Sequence, residues 1–260
     1  MRTRTHADSV HDQFDPQGQA YLRSRVHAEG PDLEHAERLI MQAVPREAAA
    51  LDVGCGAGHL AFRLAPRVGR MTAVDPLEGM LATVAQEATR RGLANLETRS
   101  GSAESLPFES ACFDLVASRY SAHHWMHLEE ALRELHRVAK PGGALLLIDS
   151  LTPEDALADT HLQALELLRD RSHVRNRSQP QWRALLSAAG FELLEQRQWP
   201  IRIEFAPWVE RMRTPAERVA AIRSLQASAP AEVQRALGFE TDGSFTLQTG
   251  LFFARRGTDS

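Results

Sequence analysis

Three glycines at alternate positions, Gly54, Gly56 and Gly58, follow a short apolar run that ends in Asp52 and Val53. Glycine tolerates positive φ and lets a ligand approach the backbone without meeting a Cβ. A helix that opens directly behind such a turn offers unpaired N–H groups. The dinucleotide fingerprint G-x-G-x-x-G does not fit, because the third glycine arrives one residue early and His59 holds the position it needs. The phosphate loop G-x-x-x-x-G-K-[ST] fails too, since no Lys-Ser or Lys-Thr follows. Asp75 lies 21 residues beyond Gly54, at the end of the next apolar run. An acid at that edge of an open α/β sheet can take both hydroxyls of a ribose. Glycine turn and acid together describe an adenosine site without a diphosphate clamp.

Two further clusters could act on a second molecule. Residues 118–125 carry Arg119, Tyr120, His123, His124 and Trp125. Histidines at a strand exit can bind a hydroxyl or acidic carbon and remove its proton; equally, one can cap the next helix and the other hydrogen-bond in the core. Residues 169–177 hold four arginines, Asp170 and His173. Guanidinium groups bind carboxylate or phosphate in bidentate fashion, and His173 and Arg175 are the members best suited to a substrate. The alternative is a solvated loop held by ion pairs.

The elements that must position these groups read as an α/β fold. Short apolar strands are expected at 49–53, 71–75, 96–99, 114–118 and 144–149, separated by helices near 57–67, 77–91 and 127–139. Strands alternating with helices imply a parallel sheet covered on both faces. Leu33, Ala36, Leu39, Ile40, Ala43 and Val44 recur at helical spacing before Pro45, which ends that helix. Beyond 150 the rhythm changes: helices near 153–169 and 180–189, a strand over 191–205, a helical region over 207–237 and a last strand over 244–254.

Bulk properties narrow the function classes. The 260 residues carry a net charge of −4, which argues against a dedicated nucleic-acid binder. Two cysteines and no Cys-x-x-Cys argue against a disulfide framework or a thiolate metal site, and no metal is expected. The longest apolar run, residues 144–148, is far short of a membrane span. A reduced, cytoplasmic setting is the expectation.

S-adenosylmethionine has the anatomy the first cluster asks for: an adenosine, a sulfonium and an amino-acid tail. Here the sequence resembles the class I S-adenosylmethionine-dependent methyltransferases. Residues 51–58 resemble their first motif and 73–75 their second. Residues 101–108 are similar to the family's adenine-side segment, 113–116 to its fourth strand, and 138–143 to the turn before its fifth. The resemblance implies that Asp52, Gly54, Gly56 and Gly58 surround the methionine tail and that Asp75 takes the ribose. Pro76, Leu77, Ser102 and Ala103 would lie at the adenine, with Arg119 also on the cofactor's side. Ser102 departs from the family's usual Asp, a stronger acceptor for the adenine amino group. The His123–His124 pair is similar to one often carried by ubiquinone and menaquinone C-methyltransferases. The segment from Asp12 through Tyr21, Ser24 and His27 resembles the family's cover over the pocket.

The combined expectation is a single domain with a Rossmann-like, seven-stranded, mostly parallel sheet whose last strand is antiparallel, under a helical cap. Residues 1–45 would form the cover, 46–150 the cofactor core and 151–260 the cap helices and final strands. The expected reaction moves a methyl group from S-adenosylmethionine to oxygen or carbon of a small, anionic or aromatic acceptor, releasing S-adenosylhomocysteine. His123 and His124 are the catalytic candidates; Tyr21, His27, Tyr120, His173 and Arg175 are the substrate candidates. The alternatives are an RNA methyltransferase, for which a basic stripe is missing, and a catalytically silent cofactor-binding sensor.

Overall fold

Successive residues of the central strands point to opposite faces of the sheet, and both faces are apolar. On the strand β5 (Ala139–Leu151), Leu145 and Leu147 join one buried cluster while Leu146 and Ile148 join another. A strand buried on both faces is the mark of a parallel sheet covered by helices. The computed structural model describes residues 4–15, 18–22 and 30–258.

In chain order, α1 (His6–Phe14), α2 (Gly18–Leu22) and α3 (Pro31–Ala43) precede β1 (Ala49–Val53), α4 (His59–Leu64), β2 (Arg70–Asp75), α5 (Glu78–Arg91) and β3 (Leu96–Ser100). Then come β4 (Phe113–Arg119), α6 (Leu128–Val138), β5, α7 (Ala156–Arg169), α8 (Gln179–Ala188) and β6 (Phe191–Ile203). The helices α9 (Phe205–Arg211), α10 (Ala216–Ala227) and α11 (Ala231–Leu237) lead to β7 (Phe245–Arg256). The seven strands lie in the order β3-β2-β1-β4-β5-β7-β6, with β7 antiparallel to both its neighbours. The expected Rossmann-like fold with one antiparallel strand is therefore present.

Local sequence explains the helices that support the site. On α6, Leu128, Ala131, Leu132, Leu135 and Val138 fall on one buried stripe, with Glu129 and Glu130 in the first turn and Arg137 in the last. This is amphipathic spacing with charges that complement the helix dipole. The single helical region expected over 207–237 is three helices, because Pro215 and Pro230 stand at the N-caps of α10 and α11. Proline lacks the N–H that a continuing helix would need. These helices and α7 share an apolar cluster (Leu162, Leu165, Trp208, Ile222, Val233) with Phe245 and Leu247 at the start of β7. The cap is thus anchored to the sheet by its own core. Among the described residues no helix is long and apolar enough to cross a membrane.

Candidate active site

β1 stops at Val53 and the chain turns through Gly54, Gly56 and Gly58, with φ of +68°, +49° and +86°. The turn clings to β2, where Gly54 and Cys55 both donate their N–H to the Val74 carbonyl at 2.8 and 3.0 Å. A Cβ on Gly54 would come within 1.9 Å of Ser121 Oγ, whereas one on Gly56 would meet nothing within 4 Å. Gly56 therefore faces open space, and that space is a cavity of about 580 Å³.

Two buried carboxylates flank the turn. Asp75 accepts the Gly56 N–H through Oδ2 at 2.9 Å and the Leu77 N–H through Oδ1 at 3.0 Å. Asp52 accepts the Ala61 N–H through Oδ2 at 3.0 Å. Its Oδ1 is buried without a hydrogen-bond partner. Burial raises the Asp52 carboxyl to about 7 and the Asp75 carboxyl to about 6. A buried acceptor left unpaired is costly and marks a place for a donor from outside the chain.

Nine of the ten cofactor candidates line this cavity: Asp52, Gly54, Gly56, Asp75, Pro76, Leu77, Ser102, Ala103 and Arg119. Gly58 does not. A Cβ there would lie 2.9 Å from Phe62 Cζ and from Val84 Cγ2, so its glycine serves the packing of α4 against α5. Arg119 donates Nε–H to Asp32 Oδ2 at 2.6 Å in a buried ion pair and stacks on the Tyr120 ring. The first helices close the cavity from above. Phe14 and Tyr21 pack edge to face at 5.7 Å, and Gln13 Nε2 donates to the Met212 carbonyl at 2.9 Å. Ser24 and His27 lie outside the described residues.

A smaller cavity of about 120 Å³ adjoins the first, and Phe14, Tyr21, Tyr120 and His124 line both. Tyr120 holds φ of +52°, a strained value for a non-glycine residue. Its hydroxyl is 2.8 Å from Thr249 Oγ1 on β7. His123 lines the smaller cavity and donates Nδ1–H to Asp149, two residues before the end of β5. Burial works against the charged imidazole of His123. The Asp149 carboxylate, aided by Glu166 and Asp170, outweighs it and raises the pKa. His124 differs: burial and the neighbouring His123 lower it to about 4, and its Nδ1–H donates to the Ser172 carbonyl at 3.0 Å.

His173 and Arg175 line neither cavity. His173 bonds Gln163 Oε1 at 2.8 Å, and Arg175 pairs with Asp159 on α7 at 2.5 Å. From the arginine-rich segment Arg169, Asp170 and Asn176 reach the smaller cavity, joined by Glu166 and Arg211. Sequence reading missed Asp149, Glu166, Asn176 and Arg211. Asp149 carried a usable signal, since the apolar run expected as a strand over 144–149 ends on it, as the run over 71–75 ends on Asp75.

The family model for a methyltransferase domain matches residues 51–147. The protein YafE of Escherichia coli is 44% identical over 74% of this chain and 93% of its own length. The methyltransferase YcgJ of Bacillus subtilis is 37% identical over 79% of this chain and 80% of its own. The chain belongs to the class I S-adenosylmethionine-dependent methyltransferases. The crystal structure of YcgJ superposes on this methyltransferase with a TM-score of 0.81, covering 86% of this chain and 99% of that one at 33% identity. The ubiquinone/menaquinone C-methyltransferase UbiE of Brucella anthropi is 40% identical, but over only 38% of this methyltransferase and 40% of its own length.

Proposed function

We propose that this methyltransferase moves a methyl group from S-adenosylmethionine to oxygen or carbon of a small molecule, releasing S-adenosylhomocysteine. The observation that carries the reading is the unpartnered Asp52 Oδ1, buried beside a glycine whose missing side chain leaves open space. The residues fit the cofactor: Asp52 offers an acceptor to its ammonium, and Asp75, each oxygen already holding one backbone N–H, keeps lone pairs for the ribose hydroxyls. Leu77 and Ala103 supply apolar surface for the adenine, with Ser102 beside it. Once bound, the cofactor supplies an electrophilic methyl on a sulfonium and departs as a neutral thioether.

What the chain adds is positioning, exclusion of water and proton handling. α1 and α2 cover the cavity, which favours desolvation of the acceptor. The collar of Phe14, Tyr21, Tyr120 and His124 limits the angles from which an acceptor meets the methyl group. His123, its Nδ1–H held by Asp149, presents Nε2 as the base for an acceptor that must lose a proton. The overlap with UbiE supports a small-molecule acceptor. A cytoplasmic setting goes with the free thiols of Cys55 and Cys112.

Release of S-adenosylhomocysteine, measured against phenols, quinols, carboxylates and thiols, tests this. Turnover of one class identifies the acceptor chemistry. Tight cofactor binding with no turnover on any class, or methylation of RNA alone, would sink the proposal.

A further inference from the structure

Behind the collar, the smaller cavity is lined by two polar side chains with buried atoms that no other described residue satisfies. Asn176 is 2% exposed, and neither its Oδ1 nor its Nδ2 has a hydrogen-bond partner. Its backbone is fully engaged, with N–H and C=O both bonded to the Gln163 amide at 3.1 and 3.0 Å. Arg211, on the cap helix α9, has a buried Nε–H without an acceptor and forms no ion pair among the described residues.

The other charges of the cavity are committed. Arg169 donates to the Trp208 carbonyl at 3.1 Å and to Glu166 at 3.4 Å. Asp170 accepts the Ser172 N–H and hydroxyl at 2.8 and 2.5 Å. Asp149 is held by His123. Arg211 has no ion-pair partner among the described residues; burial and then Arg169 work against its charge, and Tyr21 and Glu166 offset them only in part. A bound anion removes that penalty and gives the Arg211 fork the acceptors it lacks. One uncommitted guanidinium calls for one negative charge, and Glu166 and Asp170 on the same wall disfavour a dianion such as phosphate.

We infer that the smaller cavity anchors the methyl acceptor, and that this acceptor is a small hydroxy-carboxylate. Its carboxylate sits on Arg211 and Asn176 Nδ2. Its hydroxyl, beside Asn176 Oδ1 and turned toward the larger cavity through the collar, is the reacting oxygen: it gains the methyl group and gives its proton to His123 Nε2, while the cofactor leaves as the neutral thioether. The assignment rests on the larger cavity being the cofactor site, and the test separates the two.

Salicylate, lactate, salicylamide and inorganic phosphate would each be titrated by calorimetry into the full-length protein saturated with S-adenosylhomocysteine. Salicylate or lactate is expected to bind. Salicylamide, which lacks the charge, and phosphate are expected to bind at least about tenfold more weakly. Arg211→Gln and Asn176→Leu should each weaken the carboxylate by at least about tenfold while leaving S-adenosylhomocysteine affinity unchanged. Asn176→Leu has a second readout. It removes a buried amide that has no partner in the free protein, so its melting temperature should not fall; a merely structural Asn176 would lower it. Equal binding of salicylate and salicylamide, binding of neither carboxylate, tighter binding of phosphate, or indifference to both substitutions overturns the anchor alone. Failure of the wild-type protein to bind S-adenosylhomocysteine overturns the cofactor reading and the anchor's role with it.

Discussion

The Nδ1–H of His123 meets Asp149 Oδ1 at 2.6 Å, and the same carboxylate takes the His123 backbone N–H through Oδ2 at 3.0 Å. Asp149 is 1% exposed, so one buried acid fixes both the ring and the backbone of the residue that faces the smaller cavity. A carboxylate can only accept, which places the proton on Nδ1 and leaves Nε2 able to take one. This is the arrangement of an oriented base.

Replacing His123 by Ala should lower kcat by about 10²–10⁴-fold, the range for a positioned acid or base. S-adenosylhomocysteine affinity should stay within a small factor. Asp149→Asn removes the charge that raises the His123 pKa, so the acid limb of the kcat profile should move to lower pH. An acid limb that stays in place in this variant would remove Asp149 from control of the base.

Asp75→Ala should cost about 1.5–3 kcal/mol of S-adenosylhomocysteine affinity, the amount expected for charge-assisted hydrogen bonds. Calorimetry on the folded variant reads this directly. Unchanged affinity would take Asp75 out of the site.

Cofactor affinity should also depend on pH with a definite sign. Burial puts the Asp52 carboxyl near 7 and the Asp75 carboxyl near 6 in the ligand-free protein. Both folded-state values lie above the unfolded carboxylate range. The stabilisation these groups give the ligand-free fold is therefore present in acid and lost as pH rises through about 6 and then about 7. A bound ammonium favours the ionised Asp52, so affinity should fall as pH drops from 7.5 to 5.5, a span set roughly around these values. Asp52→Asn should flatten that dependence; a profile identical to wild type would exclude Asp52 as the group responsible.

The parts of this site that were legible in sequence are those set by local chain geometry. Asp52, the glycine turn and Asp75 belong to one β-turn-α-β unit, where strand ends and spacing dictate who meets whom. The His123–His124 pair was placed by the exit of β4 in the same way. Asn176 and Arg211 were not legible, because their convergence on the smaller cavity depends on how the cap's own core packs on the start of β7. Periodicity within a segment carries no record of that long-range packing. The arginine-rich segment shows the same limit: Arg175 points to Asp159 and Arg169 to the cavity, and composition alone treats them alike.

Gly56 and Gly58 look equivalent in sequence and should separate in experiment. Both hold positive φ, so alanine at either costs about 1–2 kcal/mol of backbone energy. At Gly58 the new methyl would also press on Phe62 and Val84 at 2.9 Å, adding about 1–3 kcal/mol of overpacking. At Gly56 it would meet no protein atom and would stand in the larger cavity. Gly58→Ala should therefore lower the melting temperature more than Gly56→Ala does, while the folded fraction still binds S-adenosylhomocysteine. Gly56→Ala should stay folded and lose at least about tenfold in that affinity, since its methyl occupies space the ligand needs. Paired thermal melts and calorimetry check both. If the two variants lost stability and affinity in the same proportion, the division of the turn into a ligand-facing and a packing glycine would be wrong.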